Sequence, residues 1–138
     1  MAATTPMVLP TFAKAAPRKG GRLRVGMAGA SVSHVLDPAL SEDYYTTTLL
    51  YGFCNYLTEI NNRGELVGEL AESFEAKKGA KKWVFRLRKD IEFHNGKSLE
   101  AEDVLLTIQH HRGTNSRSVD KNLLKQIENI QIDNSALL

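Results

Sequence analysis

From residue 22 onward, basic and apolar positions alternate. Leu23, Val25 and Met27 share one face and Arg22, Arg24 and Gly26 the other, the two-residue period of a half-buried strand. The small residues Ala28-Gly29-Ala30-Ser31 end it, and a loop runs to Asp37-Pro38. The period then lengthens. Thr46, Leu49, Leu50, Phe53 and Leu57 recur at i, i+3, i+4, i+7 and i+11, which predicts the apolar face of a helix ending near Asn55. Ser41 reads as its N-cap, with Glu42 and Asp43 in the first turn favouring the dipole. The β-branched run Thr46-Thr47-Thr48 weakens this helix slightly.

A β-rich stretch follows. Leu57 to Ile60 leads into Asn61-Asn62-Arg63-Gly64, a turn signal, and Glu65 to Ala76 reads as broken strand. Lys77-Lys78-Gly79-Ala80 is a second turn. Trp83, Phe85 and Leu87 then alternate with Lys82, Arg86 and Arg88, predicting a strand with Trp83 and Phe85 on the core face. Ile91 and Phe93 predict a short third strand, closed by the Asn95-Gly96 turn. A second helix begins near Glu100, with Ala101, Val104, Leu105 and Ile108 as its buried stripe and Glu102 and Asp103 in its first turn. Gly113 to Ser116 breaks it. A short helical segment is expected at 122–126, and Ile127, Ile130 and Ile132 suggest a further strand.

Charge changes the picture at the amino end. Of 18 basic residues, five (Lys14, Arg18, Lys19, Arg22, Arg24) lie in the first 24 positions, where there is no acid. The remaining 13 face 16 acidic residues, so the net +2 of the chain resolves into a basic leader and a body of about −3. Such a body has no nucleic-acid-sized positive surface. No apolar run approaches the ~20 residues that cross a bilayer. In the leader, Ala13-Lys14-Ala15 followed by Ala16 fits a small-x-small signal-peptidase site, preceded by a weak apolar patch of Met7, Val8, Leu9 and Phe12. Residues 1–19 are therefore read as the remnant of a secretion signal, with Met1 inside a longer leader; a flexible Ala/Pro/Thr tail is the alternative. The other end stops inside an expected strand. Cys54, alone in the chain, cannot form an internal disulfide and reads as a small buried apolar residue.

The candidate chemistry is sparse. His110 and His111 are neighbours on one helix, so they diverge by about 100° and cannot grip one ion as an i, i+4 pair does. His94 lies in a turn, and Glu100, Glu102 and Asp103 are accounted for by the helix dipole. No nucleophile elbow or phosphate loop occurs, and Gly26 to Gly29 lacks the third glycine of a dinucleotide fingerprint. The lysines at 77, 78, 81 and 82 read as a solvated hairpin tip. No catalytic residue, metal or cofactor is implied.

Four blocks in order carry a family resemblance. They are Leu66-Val67-Gly68-Glu69-Leu70-Ala71-Glu72-Ser73-Phe74, Trp83 to Lys89, Ile91-Glu92-Phe93-His94-Asn95-Gly96, and Ala101-Glu102-Asp103-Val104. Together they resemble the signature of the extracellular solute-binding proteins, family 5, which include dipeptide- and oligopeptide-binding proteins. Gly20 to Gly26 resembles the family's first strand and Leu36-Asp37-Pro38 its Leu-Asp-Pro loop. Gly68 replaces a usual proline, Phe74 a tryptophan, Tyr56 a common glycine and Glu100 a capping threonine. The resemblance implies a mixed α/β chain that forms the amino-terminal part of a two-lobed periplasmic-binding-protein type II fold, incomplete here. Its start of lobe I would span 20–57 and a β-rich subdomain with helix 58–138. It implies a periplasmic, monomeric capture protein for a peptide or other small solute, delivering to an ABC permease in the inner membrane. The family's cleft maps to Gly29, Ala30 and Ser31, with Tyr44 and Tyr45 on the first helix; small residues permit close backbone approach to a ligand. The competing readings are a metal-dependent hydrolase built on the histidines and a standalone interaction module.

Overall fold

The computed structural model describes residues 19–133 and 136–137, so the leader through Arg18 lies outside the described residues. The elements run α1 (Tyr44–Phe53), β1 (Thr58–Ile60), β2 (Leu66–Gly68), β3 (Ala71–Lys77), β4 (Lys82–Leu87), α2 (Ala101–Arg112), α3 (Lys121–Leu124), β5 (Ile132–Asp133) and β6 (Ala136–Leu137). The mixed helix-and-strand class follows. The hairpin β1–β2 forms one sheet, and the other has the order β3-β4-β6-β5 with every pair antiparallel.

The turns form where the turn residues stand. Gly64 takes φ +77° between β1 and β2, and Lys78, Gly79 and Ala80 are all left-handed between β3 and β4. Helix α2 starts as its sequence dictates. The Glu100 N–H donates to Asp103 Oδ2 at 3.0 Å, Lys97 Nζ pairs with Asp103 Oδ1, and Gly113 closes the far end beside His110, His111 and Arg112, cations suited to a helix C-terminus. Ala101 and Val104 are buried against Leu87, with Leu57, Phe85, Leu99, Leu105, Ile108, Ile130 and Ile132 packed around them. Full burial of a side chain the size of Val104 or Leu87 stabilises by about 1.5–3 kcal/mol.

Several expectations are corrected. Residues 22–27 form no strand among the described residues, and Leu23 and Val25 are exposed; alternation supplies a face, but a strand also needs an edge to pair with. Asp43, not Ser41, caps α1, accepting from the Thr46 N–H at 2.8 Å. Ser41 instead ends a 3₁₀ turn, Pro38–Leu40, and α1 stops at Phe53. Trp83 is 42% exposed: it shares the face of the buried Leu87 but stands at the hairpin end of β4, while Val84 is buried on the opposite face. Ile91 and Phe93 flank a single bridge, Glu92 to Ser98, rather than a strand. Cys54 is half-buried at the end of α1, where burial pushes its thiol pKa up.

Candidate functional site

The loop that follows residue 27 folds back over the first turn of α1, and its small residues permit this. Gly29 takes φ +92°, a conformation that other residues rarely adopt, and a Cβ placed there would stand 3.7 Å from Cβ of Tyr45. Two residues on, Ser31 makes a local turn. Its carbonyl accepts from the His34 N–H at 3.2 Å, and its hydroxyl lies 2.8 Å from that of Ser33 and accepts from the Ser33 N–H.

His34 is the joint between loop and helix. Its ring stacks on Tyr45 with centroids 5.4 Å apart, and Nε2 lies 3.0 Å from Asp43 Oδ2. Nδ1 accepts from the Ser31 N–H at 3.2 Å, which leaves the ring proton on Nε2, facing the carboxylate. Asp43 thus serves twice, as cap and as partner of His34. The backbone hydrogen bond from Thr46 is the chief cause that holds its carboxyl below the ordinary carboxylate value.

An open depression of about 430 Å³ lies beside this joint, lined by Ser33, His34, Val35, Leu40, Asp43 and Arg117 among others. Arg117 comes from the loop after α2. That loop is held to the amino-terminal segment by the Val119 N–H, which donates to Ala39 O at 3.2 Å, and the last turn of α2 by His110 Nε2, 3.1 Å from both carboxylate oxygens of Asp37. The Ala39 N–H first, and then His110, keep the Asp37 carboxyl low.

Of the five residues singled out from the sequence, Gly29, Ala30 and Ser31 lie together on the exposed loop, and Tyr45 meets that loop through Gly29 and His34. Tyr44 does not join them and is 81% exposed, because consecutive helical residues point about 100° apart. Sequence reasoning missed His34, Asp43 as a cap, and Arg117. An aspartate three residues before Thr46 is a capping signal that could have been read; nothing local points to Arg117.

The arrangement offers hydroxyl and guanidinium donors beside a carboxylate, a set suited to holding a polar solute and short of any nucleophile with its base. The other histidines disperse. His111 Nδ1 pairs with the buried Ser118 hydroxyl at 2.8 Å, and Ser118 Oγ also accepts from the Asp120 N–H, a clasp on the loop after α2. Among the described residues, no group of three or more His, Cys, Asp or Glu side chains is placed to hold a metal ion.

Comparison with known proteins gives a consistent result. The family model for bacterial extracellular solute-binding proteins, family 5, matches residues 65–135, just over half of the chain. The oligopeptide-binding protein AppA of Bacillus subtilis (strain 168) is 31% identical over 99 residues, which cover 66% of this chain and 16% of that protein. The structure of Bacillus subtilis AppA in complex with a nonapeptide superposes with a TM-score of 0.70 at 19% identity, over 74% of this chain and 20% of that one. The binding protein AgaA of A. tumefacien R10, in complex with agropinic acid, superposes with a TM-score of 0.70 at 25% identity, over 74% of this chain and 21% of that one. The chain thus spans about a fifth or less of the length of each of these relatives.

Proposed function

Because the chain belongs to the bacterial extracellular solute-binding proteins, family 5, we propose that it contributes the opening part of the first lobe of a peptide-capturing protein that serves an ABC importer. The observation that carries this reading is the ordered tract from Leu66 to Val104, inside a family match that runs to residue 135. The likeness to an oligopeptide-binding protein supports peptide as the solute. Such a protein works outside the cytoplasm, as a monomer, and passes its load to a permease. Its two lobes close on the ligand, and closure selects the form the permease accepts.

In this reading Gly29, Ala30 and Ser31 meet the peptide backbone, and Tyr45 backs the loop. Gly29 brings the main chain close, and Ser31 offers a hydroxyl. His34 positions the loop by joining Ser31 to Asp43. A non-peptide solute is the second reading, favoured by AgaA, which is described with agropinic acid.

Native mass spectrometry of the longest product of the gene, incubated with a mixture of di- to nonapeptides, separates the two. Retention of peptides, weakened by Gly29→Val, supports peptide capture. A protein that ignores peptides but retains agropinic acid supports the second reading, and one that ignores peptides sinks the first.

A further inference from the structure

The tip of the β3–β4 hairpin has an organisation that the packing of the chain does not require. Residues 77–83 read Lys-Lys-Gly-Ala-Lys-Lys-Trp, and no acid occurs between Glu75 and Asp90. Lys77 and Lys82 stand directly opposite one another in the ladder, and like charges so placed destabilise a hairpin. Lys77 is paired with Glu75 at 3.0 Å. Among the described residues, no carboxylate lies within ion-pair distance of Lys78, Lys81 or Lys82. Lys78, Gly79 and Ala80 take φ of 54°, 65° and 64°, a tight turn that leaves both flanking lysine pairs at its rim.

Aromatic rings support this rim. Trp83 stacks on Phe85 with centroids 6.3 Å apart, and Phe85 stacks on Phe74 at 6.2 Å. The column ends at Trp83, one residue from the lysines and 42% exposed. An indole with one wet edge beside several ammonium groups is the composition that seats at a membrane–water boundary, where the ring enters the headgroup layer and the lysines meet lipid phosphates. A soluble polyanion would engage the lysines but would give the exposed indole no apolar environment.

We infer that the β3–β4 tip, through Lys77, Lys78, Lys81, Lys82 and Trp83, docks on an anionic bilayer surface. The contact is independent of the loop proposed to hold solute.

Vesicle flotation of the longest gene product tests this, comparing mixed phosphatidylglycerol–phosphatidylcholine vesicles with pure phosphatidylcholine. The wild-type protein floats with the anionic vesicles only, and added salt weakens the association. Lys78→Gln with Lys81→Gln lowers the partition coefficient roughly 30-fold, at about fivefold for each lysine. Trp83→Phe weakens binding, and the wild-type-minus-variant emission moves to the blue on anionic vesicles. Equal flotation of wild type and double-glutamine variant, equal binding to neutral vesicles, or retention by heparin without any shift in the Trp83 emission would each overturn the inference. Both lysines are exposed, so the double variant remains informative even if Trp83→Phe perturbs the hairpin.

Discussion

Replacing Gly68 with alanine puts a methyl group where the chain leaves no room. A Cβ at this position would stand 2.2 Å from the carbonyl oxygen of Ala71 and 3.3 Å from its carbon. Ordinary contact begins near 3.4 Å, so the carbonyl would have to retreat by about 1.2 Å. It is poorly placed to do so. Ala71 is 0% exposed, opens β3 opposite Leu87, and donates its N–H to Leu57 O at 3.0 Å. Overpacking that forces side-chain and backbone shifts costs about 1–3 kcal/mol, and with main chain as the obstacle about 2–3 kcal/mol is expected. Urea titration followed by emission of Trp83, the chain's only tryptophan, reads this as a lower midpoint with an unchanged slope. Gly52→Ala is the control. Gly52 lies in α1 with nothing within 4 Å of its would-be Cβ, so the exchange leaves stability unchanged or raises it by up to about 1 kcal/mol. A Gly68→Ala cost below about 0.5 kcal/mol would refute the reasoning, because the main chain would then have moved freely.

Three further outcomes are expected. Leu87→Ala, which empties the centre of the cluster with Ala101 and Val104, costs about 2–4 kcal/mol in the same titration. The carboxyl pKa values of Asp103, Asp37 and Asp43 are all lowered in the folded chain, that of Asp103 chiefly by Lys97. Their stabilisation is therefore complete above the unfolded carboxyl pKa and is lost as pH falls through the lower folded values. Asp103→Asn with Asp37→Asn should flatten the acid limb of stability against pH, and an unchanged limb would remove these groups from the account. The Cys54 thiol, raised by burial, reacts with iodoacetamide more slowly at mildly alkaline pH than a free thiol does, and urea abolishes the difference.

The features that could be read from the sequence were those whose causes are local. The Asn95-Gly96 turn closes through the Gly96 N–H, which donates to Phe93 O at 2.8 Å, and α2 carries its own stripe, cap and stop within a few residues of one another. The cap of α1 is ambiguous in the sequence because Ser41 and Asp43 are both good caps two residues apart. Only the 3₁₀ turn that consumes Ser41 decides between them. The exposure of Trp83 is not legible, because alternation identifies two faces without saying how well each is covered. The glycine at 68, a departure from the family pattern, is explained by the close pass of the Ala71 carbonyl, which sequence cannot show. In the candidate site, Ser31 and Tyr45 come together through a loop short enough to follow by eye. Arg117 reaches the same depression from the loop after α2, a closure no local pattern encodes.

The contacts between Asp37 and His110 bridge 73 positions of sequence, whereas β3 and β4 meet across a four-residue turn. Closing so long a loop is entropically expensive, and the Asp37–His110 contacts that reward it are exposed. The segment around residues 37–43 should therefore attach last during folding and detach first by sub-global opening, carrying the Ser31 loop with it through His34. Amide hydrogens at Ala39 and Thr46 would then exchange together and ahead of those in β3 and β4, so that the candidate binding loop belongs to the part of the chain with the lowest opening free energy.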